Sequence, residues 1–511
     1  MHVHFNVREF LDRAAVAYPD RIALVDEPDQ PAEPWAPLTF AQLAERARGQ
    51  AAGLDRQGIA PGERVAVISH NSARLLTSFF GVSGWGRILV PINFRLARVE
   101  VQYILEHSGA SVLLVDPDLD EDLAGIGPDR RYVLGEASDA ELFFPDVEPQ
   151  PWASDEGATA TINYTSGTTA RPKGVQLTHR NCWVNSAVFG WHVGVSDRDV
   201  YLHTLPMFHA NGWGMPWTTA AMGVTQVALR RVDGPEILRR VDRHGVTLLC
   251  AAPAVVNAVL DAAADWNGPV PGAGTTRIVV AGAPPPSRTI ERIESELGWE
   301  FIQIYGLTET APLLTVNRSR PEWDSIPSDQ RARKLMRAGA PAIGTEITID
   351  GNGEVLARSN TVMAGYWRQP EESAAALAGG WFHTGDGGQV DDEGHLSILD
   401  RKKDVIITGG ENVSSIEVED AIFSLDGVLE VAVIGVPHDK WGEMVLALVV
   451  VDESSGVTEE IVITHCRTVL AGYKCPKEVE LRPELPRTAT GKLQKFRLRA
   501  PYWEGLERQV N

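Results

Sequence analysis

The sequence predicts an α/β protein. It has a large N-terminal domain of layered α/β subdomains with an added β subdomain, and a small α+β C-terminal domain. Three observations carry this. A chain of 511 residues is too long for one hydrophobic core. Short aliphatic runs alternate with helix-periodic stretches through the first half, the pattern of parallel strands with helices between them. A charged run at Asp400-Arg401-Lys402-Lys403-Asp404 separates this region from a shorter strand–helix pattern, so the expected domains are 1–400 and 401–511.

Composition narrows the function classes. A hydrophobic content of 44% is that of a globular protein, and no apolar run reaches the ~20 residues of a membrane span. The N-terminus lacks the charged and apolar regions of a secretory signal. Cys182, Cys250, Cys466 and Cys475 show no Cys-x-x-Cys spacing and read as reduced thiols, so a cytoplasmic location is expected. A net charge of −21 gives no global attraction for nucleic acid, so any anionic substrate must be held by local basic groups.

In chain order, Phe10, Ala14, Ala15 and Ala17 fit one helix face. Arg64–Ser69, Ile88–Ile92 and Ser111–Val115 read as buried strands, with Asp116-Pro117-Asp118 as a plain turn. Pro145–Ala158 is a Pro- and acid-rich connector. Val175–Leu177 is extended, and Asn181 is the expected N-cap of the next helix. Thr247–Pro253, Arg277–Gly282 and Phe301–Ile304 are further buried strands. Arg318–Arg337 is charged and reads as a surface excursion. Gly344–Asp400, broken by Gly and Asp, suggests the β subdomain, containing Gly365-Tyr366-Trp367 and Trp381–Gly387. Beyond the charged run, Ser415–Leu425 and Glu459–Leu470 look helical, and Leu429–Val436 and Met444–Val451 look like strands.

Several segments carry chemistry. Tyr164–Gly174 concentrates the hydroxyls of Thr165, Ser166, Thr168 and Thr169, a flexible Gly167 and the cation Lys173, groups that can ring a polyphosphate. Lys173 is followed by Gly174, so this is not the Gly-Lys-Ser/Thr loop of P-loop NTPases. Leu205–Trp213 places His209 among apolar residues, where a core histidine is the commoner outcome. Trp213 and Trp217 are candidate pocket walls, although such aromatics are more often core. Gly282-Ala283-Pro284 ends a buried strand, where ligands of open α/β sheets gather. In Tyr305-Gly306-Leu307-Thr308-Glu309, Tyr305 can stack on a purine, Thr308 can reach a phosphate, and Glu309 is a hard oxygen ligand suited to Mg²⁺. Asp386 sits in a glycine turn and can accept both hydroxyls of a ribose.

Together these segments closely resemble the adenylate-forming superfamily of acyl-CoA synthetases, nonribosomal adenylation domains and luciferases. The look is nearest to bacterial fatty-acid or medium-chain acyl-CoA ligases. Ala170 stands where the family usually has glycine, and Gly387 where it often has an apolar residue. The resemblance implies that Thr165–Thr169 and Lys173 hold phosphates, that Gly282-Ala283-Pro284 and Tyr305-Gly306 hold adenine, that Asp386 holds the ribose, and that Arg401 contacts the ribose or a phosphate. It implies Glu309 as the metal ligand, with Thr308 beside it, and His209 at the acid carboxylate. Lys403 would be the hinge of a mobile C-terminal domain, Gly409 and Gly410 part of the CoA tunnel, and Lys492 the lysine bridging the carboxylate and the α-phosphate. The expected reaction is activation of a hydrophobic carboxylic acid by ATP and Mg²⁺, then transfer to coenzyme A. Loading of a carrier protein or a separate transferase is the alternative. Leu205–Trp213 has no acid to pair an α-amine, which argues against an amino-acid substrate. Oligomeric state is not fixed by the sequence, a homodimer being one option.

Overall fold

The computed structural model describes residues 3–144, 146–165, 171–283, 285–401, 405–408, 411–438, 440–452, 454–487 and 493–504. Among these, the strands form four sheets. One of seven strands runs from Arg131–Val133 through Ala110–Val115, Arg64–Ile68 and Ile88–Ile92 to β1 (Thr159–Thr165) and β2 (Lys173–Thr178). The first five lie parallel, while β1 and β2 form an antiparallel hairpin. Helix α1 (His179–Val193) follows directly. Its cap is Thr178, whose hydroxyl accepts from Asn181 N while the Asn181 side chain accepts from Thr178 N. Asn181 is therefore the third residue of a capping box and not the N-cap expected.

The second large sheet has nine strands, with parallel Thr225–Ala228, Val200–His203, Leu248–Ala251, Arg277–Val280 and β3 (Glu300–Gly306) at its centre. Both large sheets are buried on both faces, which is why their strands read as unbroken apolar runs. Alternate residues serve different cores. Val65 and Val67 join one hydrophobic cluster with Phe40, Leu43 and Leu76, while Ala66 and Ile68 join another with Val101, Ile104 and Leu105. Likewise Leu249, Ile278 and Phe301 pack with Val256 and Leu260, whereas Cys250, Val279 and Ile302 pack with Phe189 and Val193 of α1. This period-two division stacks sheets and helices in alternating layers.

Two segments differ from expectation. The Gly365-Tyr366 pair is β4, which joins the edge of the seven-stranded sheet, with Gly365 opposite Gln176 and Tyr366 opposite Val175 of β2. The small sheet is built instead from Thr345–Ile349, Glu354–Ser359, β5 (Phe382–Val390) and β6 (Leu396–Arg401), all antiparallel. The Arg318–Arg337 stretch contains a helix, Ser328–Leu335, and buries Trp323, Ala332 and Leu335, so it is more than an excursion.

The C-terminal region has its own sheet. Val428–His438 and Gly442–Val451 form a long hairpin, Glu478–Leu481 lies parallel to its second strand, and helices Ser415–Phe423 and Glu459–Val469 cover a core including Val433, Ala447 and Val462. It touches the larger domain through Ser287, whose N and Oγ donate to Asp420, and through the Arg288–Asp426 ion pair at 2.6 Å.

The carboxyl ends of the two large sheets are tied by buried charge. Arg230 donates Nη1 to Asp116 Oδ2 at 2.8 Å and Nη2 to Asp116 Oδ1 at 2.7 Å, and also reaches Asp118. Asp116-Pro117-Asp118 is thus an ion-pair site as well as a turn. Burial alone would raise the Asp116 carboxyl, but Arg230, the Asp118 N–H and the Ser69 hydroxyl outweigh it and hold it below the usual carboxylate range. A carboxyl lowered on folding stabilises the fold fully above its unfolded pKa, and that contribution is lost as pH falls through the folded value. Arg230→Met leaves Asp116 buried without its partner and is expected to destabilise by about 3–5 kcal/mol at neutral pH. Urea unfolding of both proteins at pH 7 and in acid should show the gap narrowing as pH falls.

Candidate active site

The site is built from the end of β1, the start of β2, the end of β3 and the middle of β5. Thr165 closes β1 opposite Lys173, the first residue of β2, so the hairpin register fixes both stems of the hydroxyl-rich loop. Ser166, Gly167, Thr168, Thr169 and Ala170 lie outside the described residues. Tyr164 shares a hydrogen bond with His107 Nδ1 at 2.8 Å, and burial pushes its phenol pKa up. The Lys173 ammonium lies 4.9 Å from the centre of the Tyr366 ring.

The His209 segment is fastened to β1 from beneath. Asn163 Nδ2 donates to Asn211 Oδ1 at 2.9 Å, Asn211 Nδ2 donates to Thr161 Oγ1 at 3.0 Å, and Thr161 Oγ1 donates to Asn163 Oδ1 at 2.9 Å. All three residues are buried. Two more asparagines pin the same segment. Asn71 accepts from Met207 N and donates to the carbonyls of His203 and Leu205, and Asn185 donates to the Trp213 carbonyl while accepting from Leu313 N. Between these anchors Ala210, Asn211, Gly212, Trp213 and Gly214 all have positive φ, from 44° to 79°. For residues with a Cβ this conformation costs roughly 1–2 kcal/mol each, and it persists only where the surroundings impose it. It leaves His209 exposed at the start of the turn and carries Trp213 inward to 5% exposure.

Gly282, at φ 94°, and Ala283 follow strand Arg277–Val280; Pro284 lies outside the described residues. On β3, the Tyr305 hydroxyl donates to Asp386 Oδ2 at 2.7 Å. Asp386 is 5% exposed on β5, donates its backbone N–H to Thr384 Oγ1 at 3.1 Å, and stands in register with Arg401 at the end of β6. Gly306 permits close backbone approach: a Cβ there would lie far inside contact distance of the Pro312 carbonyl oxygen. Thr308 is buried, and Glu309 is held twice, its Oε1 accepting from the Tyr366 hydroxyl at 3.0 Å and its carbonyl accepting from Met363 N at 2.8 Å.

The described residues therefore unite Lys173 and Glu309 through Tyr366, and Tyr305 with Asp386. Trp217 is not brought in. It is 1% exposed, donates Nε1 to the Phe79 carbonyl and meets Phe79 edge-on, so it is core. Lys403, Gly409, Gly410 and Lys492 lie outside the described residues. Their described neighbours form a hairpin of Ile406–Thr408 with Glu411–Val413, and a bridge between Arg487 and Leu493. The sequence reading passed over Tyr366 as a site residue, and over Asn163 and Asn211. For Asn163 and Asn211 the available signal was a polar residue beside buried apolar ones, Ile162, Ala210 and Trp213.

A Glu309 carboxylate with the Thr308 hydroxyl beside it in sequence is a donor set suited to a hard divalent cation. Another ligand-type cluster, Asp391, Glu393 and His395, is already faced by cations of the chain. Arg337 and Lys334 bind its carboxylates, and Arg320 donates to His395 Nε2. Burial first, then Arg337 and Arg320, push the His395 pKa down.

Comparison with known proteins matches residues 11–367 to the AMP-binding enzyme family model and 417–492 to the AMP-binding enzyme C-terminal domain model. The chain is 37% identical to 4-hydroxybutyrate–CoA ligase 2 of Metallosphaera sedula, over 96% of this chain and 93% of that one. It is also 37% identical to 2-methylpropanoate–CoA ligase CCL4 of Humulus lupulus, over 96% and 94%. Its structure resembles o-succinylbenzoate coenzyme A synthetase (MenE) of Bacillus subtilis in complex with ATP and magnesium ion, with a TM-score of 0.81 and 29% identity over 96% of this chain and 98% of that one. Among the described residues, no helix is long and apolar enough to cross a membrane.

The tight packing at Gly306 gives a direct check. Gly306→Ala must displace the Pro312 main chain, so it should lower the midpoint of thermal unfolding and weaken ATP binding measured by calorimetry. Wild-type affinity in the variant would show that the approach is not required.

Proposed function

Because the chain belongs to the AMP-binding enzyme family, we propose that it converts a compact hydrophobic carboxylic acid to its CoA thioester through an acyl-adenylate. The observation that carries this reading is that Tyr366 joins the Lys173 cation to the metal-suited Glu309, while Tyr305, four residues before Glu309, pairs with Asp386.

In the first step a carboxylate oxygen of the acid bonds to the α-phosphorus of ATP and the bond to pyrophosphate breaks. Two anions must meet inside a protein of net charge −21, so cationic groups have to be local. Lys173 and the hydroxyls of Thr165, Ser166, Thr168 and Thr169 hold the phosphates, with the Gly167 backbone close by. Lys492 bridges the carboxylate and the α-phosphate. Loss of one such preorganised charge-stabilising donor typically costs about 10²–10³ in rate. Glu309 and Thr308 would hold Mg²⁺, which supplies charge neutralisation on the phosphate oxygens when bound. Tyr305 stacks on adenine beside Gly306 and the Gly282-Ala283-Pro284 turn. Asp386 accepts the ribose hydroxyls as well as the Tyr305 proton, within the capacity of an ionised carboxylate, and Arg401 assists it. His209 orients the acid.

In the second step the CoA sulfur attacks the carbonyl carbon of the mixed anhydride, AMP leaves, and the thiol proton passes to solvent. Between the steps the C-terminal domain, 401–511, rotates about Lys403 relative to domain 1–400, so that Lys492 withdraws and the Gly409-Gly410 loop arrives. The adenylate supplies the leaving group, so no enzyme nucleophile is needed.

A compact acid is favoured by Trp213. Its indole shares a hydrophobic cluster with Ala281, Ile304 and Leu313, which flank the adenine and metal segments, and so fills volume behind the site. The acids in the names of the two ligase relatives are also short. The test is acid-dependent pyrophosphate release from MgATP across short, branched, aryl and long-chain acids, with and without CoA, the products identified by mass. Acyl-CoA from a short or aryl acid is expected. Trp213→Leu should shift kcat/KM toward longer acids by about tenfold, the scale of one or two methylenes in an apolar pocket. A wild-type preference for long chains, or a variant with unchanged preference, would contradict the pocket assignment.

A further inference from the structure

Tyr366 touches two groups that belong to different parts of the nucleotide site. Its hydroxyl donates to Glu309 Oε1 at 3.0 Å, and its ring lies 4.9 Å below the Lys173 ammonium. A phenol has a single proton to donate and an electron-rich face, so one side chain can hold an anion at its tip and a cation on its plane. Such a residue acts through others only if it is itself immobile, and the backbone here is fixed on both sides. Gly365 and Tyr366 pair with Gln176 and Val175 of β2, and Trp367 N donates to the Gly174 carbonyl at 2.7 Å. Tyr366 N donates to Ser373 Oγ at 2.8 Å, and Ser373 Oγ in turn donates to the Gln369 carbonyl. Two residues upstream of Gly365, Met363 N donates to the Glu309 carbonyl, so this strand also holds the metal-suited segment through its main chain.

We propose that Tyr366 is a positioning residue for the adenylation step. Its hydroxyl sets the Glu309 carboxylate in the orientation that receives the divalent cation, and its ring sets the Lys173 ammonium over the phosphates bound by that same cation. The proposal rests on the reading of Glu309 as metal ligand and Lys173 as phosphate ligand. The two functions of Tyr366 are separable, because phenylalanine keeps the ring and removes only the donor.

The experiment measures Mn²⁺ binding by electron paramagnetic resonance in the presence of α,β-methylene ATP, which is not cleaved at the reacting bond. Metal-free binding of the same nucleotide is followed by calorimetry. Tyr366→Phe, Tyr366→Leu, Glu309→Gln and the Tyr366→Phe/Glu309→Gln double variant are compared with wild type, with thermal midpoints recorded for each. Partners that orient a metal ligand typically contribute 10- to 100-fold in metal affinity. Tyr366→Phe is therefore expected to weaken Mn²⁺ about tenfold and leave metal-free nucleotide binding unchanged. Tyr366→Leu should weaken both. In the Glu309→Gln background, Tyr366→Phe should have no further effect on the metal, since the two residues act as one unit. Unchanged Mn²⁺ affinity in Tyr366→Phe, with Glu309→Gln weakened, overturns the role of Tyr366 alone. Unchanged affinity in Glu309→Gln overturns the metal assignment of Glu309 and the proposal with it. Equal loss of metal and metal-free nucleotide binding in Tyr366→Phe marks a packing role and also overturns it.

Discussion

The pairing of β4 with β2 is the contact on which the nucleotide site depends. The β1–β2 hairpin alone would present Lys173 at the edge of a sheet, and an edge strand leaves its outer hydrogen-bonding groups unpaired. Addition of Gly365-Tyr366 covers that edge beside Lys173 and, through Tyr366 and Met363, brings in the Thr308-Glu309 segment from the other large sheet. A cation and a carboxylate from the two large sheets are thereby held on one side chain, Tyr366. In a strongly acidic chain this matters more than the number of basic residues, because only fixed local cations offset the general repulsion of an anionic substrate.

The His209 segment is held by a different device. Four buried asparagines, Asn71, Asn163, Asn185 and Asn211, hold the segment from His203 to Trp213 by its carbonyls, by one backbone N–H and by side chain to side chain bonds. An amide can donate and accept at once, so Asn71, Asn163 and Asn185 satisfy backbone groups that a non-repeating segment would otherwise bury unpaired, while Asn211 bonds to the side chains of Asn163 and Thr161. The same bonds offset the cost of the left-handed run from Ala210 to Gly214. That run turns His209 outward and Trp213 inward, although residues four apart share a face in a right-handed helix or a strand. Because Asn163 lies on β1, two residues before Thr165, the same bonds tie the His209 segment to the strand that ends at Thr165.

Much of the layered fold was legible in the sequence. Strands buried on both faces appear as continuous aliphatic runs, and Arg64–Ile68, Ile88–Ile92 and Arg277–Val280 fall where those runs lie. The C-terminal helices and the long hairpin also lie within a residue or two of the expected stretches. What stayed hidden depends on partners distant in the chain. Nothing local tells Gly365-Tyr366 to join β2 across nearly two hundred residues rather than the β subdomain around it. Asp116-Pro117-Asp118 has the composition of a turn, and its ion pair becomes visible only when Arg230 arrives from the neighbouring sheet. Asn181 and Thr178 are both good caps. The choice between them was made by the end of β2, which runs up to Thr178. In the site, the motif residues stood out by chemistry, whereas Tyr366 and the asparagines read as ordinary members of apolar segments because they act on other residues.

The central claim is that the acid is activated on phosphorus before any thiol takes part. Acid-dependent exchange of labelled pyrophosphate into ATP, measured in MgATP without CoA, tests this most directly. Exchange that requires the acid, proceeds without CoA and stops when the divalent cation is chelated is the predicted result. Exchange that needs CoA, or turnover of ATP to ADP and phosphate, would contradict an acyl-adenylate intermediate and the site built around it.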